Sequence, residues 1–186
     1  ESGGVSVVPS FKHQCLCPND HANFGGYLGY NIPRPQVDIM LEADLIIALG
    51  TRLGDATTQG YVLPQAPEPA QPLVHIYPDA YVPGKVYETE LGLICRSNEF
   101  VQALGVHTVP APPAGRKEWI KRLNSHAKKL SEWSASSAPD GLDFGFVIAE
   151  LQKQIADDAV IATDAGNFGS WLHRPFMFGK DHTLLG

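Results

Sequence analysis

The chain has 186 residues and a mass of 20.2 kDa, enough for one sizeable core or for one core and part of another. Its 44% hydrophobic content excludes a disordered chain, and a net charge of -6 excludes a general binder of nucleic acid or of anionic membrane. Three cysteines exclude a disulfide scaffold and point to a reducing cytoplasm, while Gly 18 and Pro 15 promise many turns and exclude a coiled coil.

Glu1-Ser2-Gly3-Gly4 carries neither the basic region nor the apolar stretch of a signal peptide. Val5 to Val8 is a short apolar run and reads as a strand. His13, Cys15, Cys17 and His21 lie close enough in sequence to suggest zinc. Cys-x-Cys is nevertheless tighter than the usual pair, and no second ligand pair follows, so no metal is assigned. Gly25-Gly-Tyr-Leu-Gly29 has glycines but no strand directly before it, which makes it a weak phosphate-loop signal.

Pro35 is suited to the first position of a helix, with Val37, Met40, Leu41 and Asp44 following at helical spacing. Leu45 to Leu49 is the longest apolar run, far below the ~20 residues a membrane helix needs, and reads as a strand. Leu73 to Tyr77 is another, with a weaker one at Leu91 to Ile94. These runs are continuous rather than alternating, the pattern of parallel strands covered on both faces. Ser97 is a candidate cap for a helix carrying Phe100, Val101 and Leu104.

His107 to Gly115 is proline-rich and reads as a linker. Trp119, Ile120, Leu123, Ala127, Leu130 and Trp133 then share one face of a long amphipathic helix, and Ser134 to Gly141 breaks it. Asp143 is a candidate cap for a helix carrying Phe144, Val147, Ile148, Leu151 and Ile155. Ala159 to Thr163 is a further strand, and the chain stops in mid-pattern at Leu184-Leu185-Gly186, as a piece of something larger would. Strands interleaved with helices give an α/β fold with a parallel sheet.

Ligands of such sheets bind outside the carboxyl ends of the strands. Three strand ends are therefore the candidate sites: Gly50-Thr-Arg-Leu-Gly-Asp55, Pro78 to Lys85, and Asp164-Ala-Gly-Asn-Phe-Gly-Ser170. In the last, Asp164, Gly166 and Gly169 permit a tight turn that exposes backbone N–H groups to an anion, or serve as an ordinary strand-to-helix connection. Arg52 is suited to a phosphate or, more plainly, to a surface pair with Asp55. Cys95 reads as a small buried hydrophobe. No G-x-S-x-G or other activated nucleophile occurs, so no catalytic residue is assigned.

In this order the segments resemble the thiamine-diphosphate-dependent enzymes of the acetolactate synthase type. Pro18-Asn-Asp-His21 is similar to that family's Pro-x-Asp-His loop. Glu42-Ala-Asp-Leu-Ile-Ile-Ala-Leu-Gly-Thr-Arg-Leu-Gly-Asp55 is similar to its ADLLLxLGxRxxD segment, and Val74-His-Ile-Tyr-Pro-Asp79 with Gly84-Lys85 to its HIDIDPxxIGK. Asp158 to Phe168 resembles the strand and TDxGN turn that open the diphosphate-binding domain.

The resemblance implies a Rossmann-like middle domain over residues 1–106 that lacks its first strand. A proline-rich linker and connecting helix follow over 107–141, and the start of a second α/β, diphosphate-binding domain over 142–186. It implies thiamine diphosphate with Mg2+ as cofactors, with Asp164, Gly166, Asn167, Phe168 and Gly169 at the diphosphate. In the flavin-binding members FAD or another adenine nucleotide such as ADP sits on the middle domain, where Gly29, Gly50, Arg52 and Asp79 match. Tyr77 and Cys95-Arg96 depart from that pattern, standing where carboxylates or Gly-Asp are usual.

The implied activity is decarboxylation or carboligation of a 2-oxo acid such as pyruvate. The implied assembly is a homodimer or homotetramer in the cytoplasm, with no nucleic-acid or membrane partner. Acetolactate synthase, sulfoacetaldehyde acetyltransferase, glyoxylate carboligase and benzoylformate decarboxylase types all remain open. The family's catalytic glutamate and its Gly-Asp-Gly metal segment have no counterpart here, so the chain alone is expected to be inactive. The alternatives are a non-catalytic FAD- or ADP-binding module, akin to those of electron-transferring flavoproteins, and a structural paralogue.

Overall fold

The computed structural model describes residues 4–108, 111–136, 139 and 141–186. The linker and the break expected at His107–Gly115 and Ser134–Gly141 fall partly outside them. The chain forms two compact units, one of residues 28–112 and one in which residues 3–27 join residues 113–186.

In the first of these, helix α1 (Arg34–Leu41) starts with Pro33 as its cap and Pro35 in its first turn, where a missing N–H costs nothing. It buries Val37 and Met40. Strands β1 (Ile46–Leu49), β2 (Leu73–Ile76) and β3 (Leu91–Leu93) form a parallel sheet in the order β1-β2-β3, with Ile47 opposite Val74 and Val74 opposite Leu91. Ala48, Leu53, Leu73 and Tyr87 make its core, which confirms the α/β class.

Only the central strand is covered on both faces. Ile76 and Leu73 are 0% and 1% exposed, but in β1 Ala48 is buried while Ile47 and Leu49 are exposed. The expectation of burial on both sides fails for the outer strands β1 and β3, whose Ile47, Leu49 and Leu91 are exposed. Helix α2 (Ser97–Gly105) begins at Ser97 rather than being capped by it. Arg96 is the cap residue, and its N–H donates to the Glu99 carboxylate at 2.9 Å.

In the other unit, Val5 to Val8 does not form the expected strand. Val7 makes a single bridge with Phe24, its N–H donating to the Asn23 carbonyl at 2.8 Å and its carbonyl accepting from Gly25 at 2.9 Å. The reason for Gly25 is visible here: a Cβ would lie 2.6 Å from Ser6 Oγ and 2.8 Å from Leu123 Cδ2. Helix α3 (Arg116–Ser131) supplies that leucine and buries Ile120, Leu123, Asn124 and Ala127. Asn124 Nδ2 donates to the carbonyls of Phe24 (2.8 Å) and His21 (3.0 Å).

Helix α4 (Phe144–Gln154) is capped by Asp143 as expected, the carboxylate accepting from the Gly145 N–H at 2.9 Å. Strand β4 (Val160–Ala162) pairs in parallel with β5 (Thr183–Leu185), a strand the sequence pattern does not announce. Between them runs the five-residue helix α5 (Gly169–His173). Ile148, Leu172, Phe176, Phe178 and Leu184 close the core of this unit, with Phe176 and Phe178 rings 4.8 Å apart.

Candidate functional site

The turn after β4 is built by local bonds. Asp164 Oδ1 accepts from the Ala165 N–H at 2.6 Å, and Gly169, Ser170 and Trp171 donate back to the carbonyls of Gly166, Asn167 and Phe168 at 3.0–3.1 Å. Gly166 has φ +150°, and a Cβ on it would sit 2.8 Å from the Phe168 ring. The N–H groups of the intervening residues, Gly166, Asn167 and Phe168, meet no acceptor among the described residues. All three residues are exposed, whereas Gly169 is buried.

Three successive free backbone donors in one exposed turn suit an anion with several oxygens, so the residues fit a diphosphate. The helix behind them is too short to add much dipole, which falls off within its end turns. An anion in this turn would meet backbone donors rather than a helix dipole.

A buried polar network backs this turn. Gln14, in the short 3-10 helix Phe11–Leu16, is 3% exposed. Its Nε2 donates to the His173 carbonyl at 3.0 Å, and its Oε1 lies 3.2 Å from His173 Nδ1. Asn19, 1% exposed, holds the Phe178 N–H with Oδ1 at 3.0 Å and donates its own N–H to the Phe178 carbonyl at 2.8 Å. Burial pulls the His173 imidazole below its ordinary value. Gln14, Asn19 and His173 carried no sequence signal, because Gln14 and His173 are separated by 159 positions.

Of the residues considered for zinc, Cys15, Cys17 and His21 are engaged otherwise. Cys15 Sγ accepts from the Leu184 N–H at 3.4 Å, and His21 Nδ1 accepts from the Asn23 N–H at 3.0 Å. Cys17 is buried; burial and then the Asp20 charge push its thiol upward. Among the described residues no group of three or more His, Cys, Asp or Glu is arranged to hold a metal.

In the unit of residues 28–112, Gly50 and Arg52 follow β1 and Asp79 follows β2, at the carboxyl ends of neighbouring strands. The Gly50 N–H donates to the Ile76 carbonyl at 2.9 Å, tying the two ends together. Gly50 has φ +66°, and a Cβ there would lie 2.4 Å from Ser97 Oγ. Arg52 is exposed and makes no ion pair with Asp55 among the described residues. Asp79 Oδ1 caps its own turn by accepting from the Tyr81 N–H at 2.9 Å.

Gly29 is buried and its carbonyl accepts from Gln59 Nε2. Gln59 Oε1 also accepts from the Ile32 N–H at 3.3 Å, so this one side chain ties the Gly29 loop to the turn after β1. His75, 2% exposed, bonds the Thr51 carbonyl through Nε2 at 2.8 Å and steadies the same turn from beneath. Cys95 is only half-buried. No helix among the described residues is long and apolar enough to cross a membrane.

Known proteins are similar to this chain in sequence along nearly its whole length. A Bacillus subtilis protein, YdaP, whose name describes it as thiamine pyrophosphate-containing, is 29% identical over 100% of this chain and 31% of its own length. A sulfoacetaldehyde acetyltransferase of Castellaniella defragrans is 26% identical over 98% of this chain and 34% of its own. The acetolactate synthase large subunit of Corynebacterium glutamicum is 26% identical over 100% of this chain and 29% of its own. The chain thus spans about a third of the length of the curated relatives it matches. Residues 1–104, more than half of the chain, match the family described as thiamine pyrophosphate enzyme, central domain. The α/β unit around β1–β3, the strand-end turns and this match together make the chain a member of the thiamine pyrophosphate enzyme family.

Proposed function

We propose that this chain is a segment of a thiamine-diphosphate-dependent enzyme acting on 2-oxo acids, with Asp164, Gly166, Asn167, Phe168 and Gly169 forming its contact with the diphosphate. The observation that carries the reading is the free run of N–H donors at Gly166, Asn167 and Phe168. They coincide with the positions matched to the family's TDxGN turn. When bound, thiamine diphosphate supplies the nucleophilic carbon and the electron sink for decarboxylation and carboligation. This chain's part is to orient it: the turn donates to phosphate oxygens, and Phe168 and Gly166 set the turn's shape.

Mg2+, the homodimeric or homotetrameric assembly, the cytoplasmic setting and the division into 1–106, 107–141 and 142–186 belong to this same reading. Acting alone, the chain has no turnover, because no residue here matches the family's catalytic glutamate. Carbon dioxide release from pyruvate by the isolated chain with thiamine diphosphate and Mg2+ would contradict that.

Gly166→Ala tests the binding turn. The added Cβ meets the Phe168 ring and alanine is strained at φ +150°, so the turn shifts, and turning one donor away from a charged group costs about 1.5–3 kcal/mol. Affinity for thiamine diphosphate should fall roughly tenfold or more, measured by calorimetry. Unchanged affinity in a folded variant would contradict the reading.

A nucleotide such as FAD or ADP on the strand ends of the other unit is a second reading, favoured by the exposed Arg52 beside the left-handed Gly50. Arg52→Ala should then weaken ADP binding while leaving thiamine diphosphate binding intact.

A further inference from the structure

Gln14 settles which nitrogen of His173 carries the proton. Its Nε2 donates to the His173 carbonyl, so Oε1 is the atom left facing Nδ1. A ring nitrogen facing an oxygen acceptor must be the protonated one, and the neutral ring therefore keeps a bare Nε2. A Cβ built on Gly169, the residue that closes the turn, would lie 4.0 Å from that Nε2, and 3.9 Å from both the Asp164 carbonyl and Thr163 Oγ1. A second proton has one place to go, the Nε2 next to Gly169.

The ring's surroundings disfavour its charged form in the free chain. Phe11 meets it edge-on with centroids 5.6 Å apart, and Tyr27 lies at 5.7 Å. The Tyr27 phenol, pushed up by burial, is bonded to the Arg174 guanidinium, the cation of this group. Lys12 and His13, on the same 3-10 helix as Gln14, are exposed, and the Asp164 carboxylate is turned to its own Ala165 N–H. Burial, with no contribution from a carboxylate, lowers the His173 titration. Residues 163–170 contain no Lys or Arg, so a diphosphate in this turn meets no cationic side chain of the turn itself.

We propose that His173 takes up a proton at Nε2 when a diphosphate occupies the Asp164–Gly169 turn, so that binding there is linked to pH; this rests on the diphosphate reading of that turn. The anion favours the charged ring by Coulomb attraction, against the burial that disfavours it. Uptake of one proton makes affinity rise as pH falls, by at most about tenfold per pH unit between the free and bound midpoints.

Calorimetry with thiamine diphosphate in two buffers of different ionisation enthalpy counts the protons taken up. The unaltered chain should take up more than His173→Gln, and its affinity should rise more steeply on acidification; the ligand's own titration is common to both and cancels. In parallel, the His173 ring resonances of the unaltered chain should titrate at higher pH with ligand than without, a readout that does not depend on the variant folding. Binding with equal proton counts and an unmoved His173 midpoint would overturn the proton link alone. No binding by either chain would overturn the diphosphate reading and the link together.

Discussion

Gly50, Asp143 and His173 each tie a measurable cost to one side chain. Gly50 holds φ +66° with Ser97 Oγ 2.4 Å from where a Cβ would stand. Gly50→Ala should destabilise the chain by about 1–3 kcal/mol in urea unfolding. Adding Ser97→Gly should recover the clash but not the backbone strain. Asp143 accepts from the Ser136 N–H, then from the Gly145 N–H and the Ser136 hydroxyl, and these bonds hold its carboxyl below the ordinary carboxylate range. A lowered carboxyl stabilises the fold above its unfolded value and loses that as pH falls through the folded one. Asp143→Ala should therefore lower the melting temperature at neutral pH and make no difference once the carboxyl is protonated. His173 is lowered too, so protonation favours the unfolded chain. Stability should be complete above 6.5, its ordinary value, and fall as pH drops through the folded one, a slope that His173→Gln removes. The Asp143 cap and the glycine turn at 166–169 were legible because their partners lie within a few residues. The Gln14–His173 pair was not, because no local pattern links residues so far apart in sequence.

Among the elements, β2 and α3 followed their patterns because packing on both sides, or on one stripe, agrees with what the sequence offers. The run Val5–Val8 misled because apolar residues pack equally well in an extended segment that forms only one bridge. Strand β5 escaped because its apolar run is only Leu184-Leu185, too short to read as a strand. Its neighbours are nevertheless energetically central: Phe176 is 0% exposed and packs on Phe178, Leu172 and Ile148. Phe176→Ala should cost about 3–5 kcal/mol, read from the urea midpoint. Because this cluster sits in the same unit as α5, the variant should also weaken ligand binding at the turn, whereas Leu73→Ala should lower stability without that effect.

At the scale of the whole molecule, family membership rests on residues 1–104, while the turn proposed to bind the diphosphate lies after them. The α/β class and the strand-end positions of Gly50, Arg52 and Asp79 were readable from ordered motifs. The joining of residues 3–27 to residues 113–186 was not, since it depends on long-range pairs such as Asn19 with Phe178 and Asn124 with Phe24. The central claim is that the free donors at Gly166, Asn167 and Phe168 receive a diphosphate. The most direct measurement follows the backbone amide resonances of the chain while thiamine diphosphate with Mg2+ is added to millimolar concentration. The account predicts that the amides of Gly166, Asn167 and Phe168 shift most, in a saturable way, and that Gly166→Ala suppresses the shifts. Shifts centred elsewhere, or none at these three amides, would contradict it.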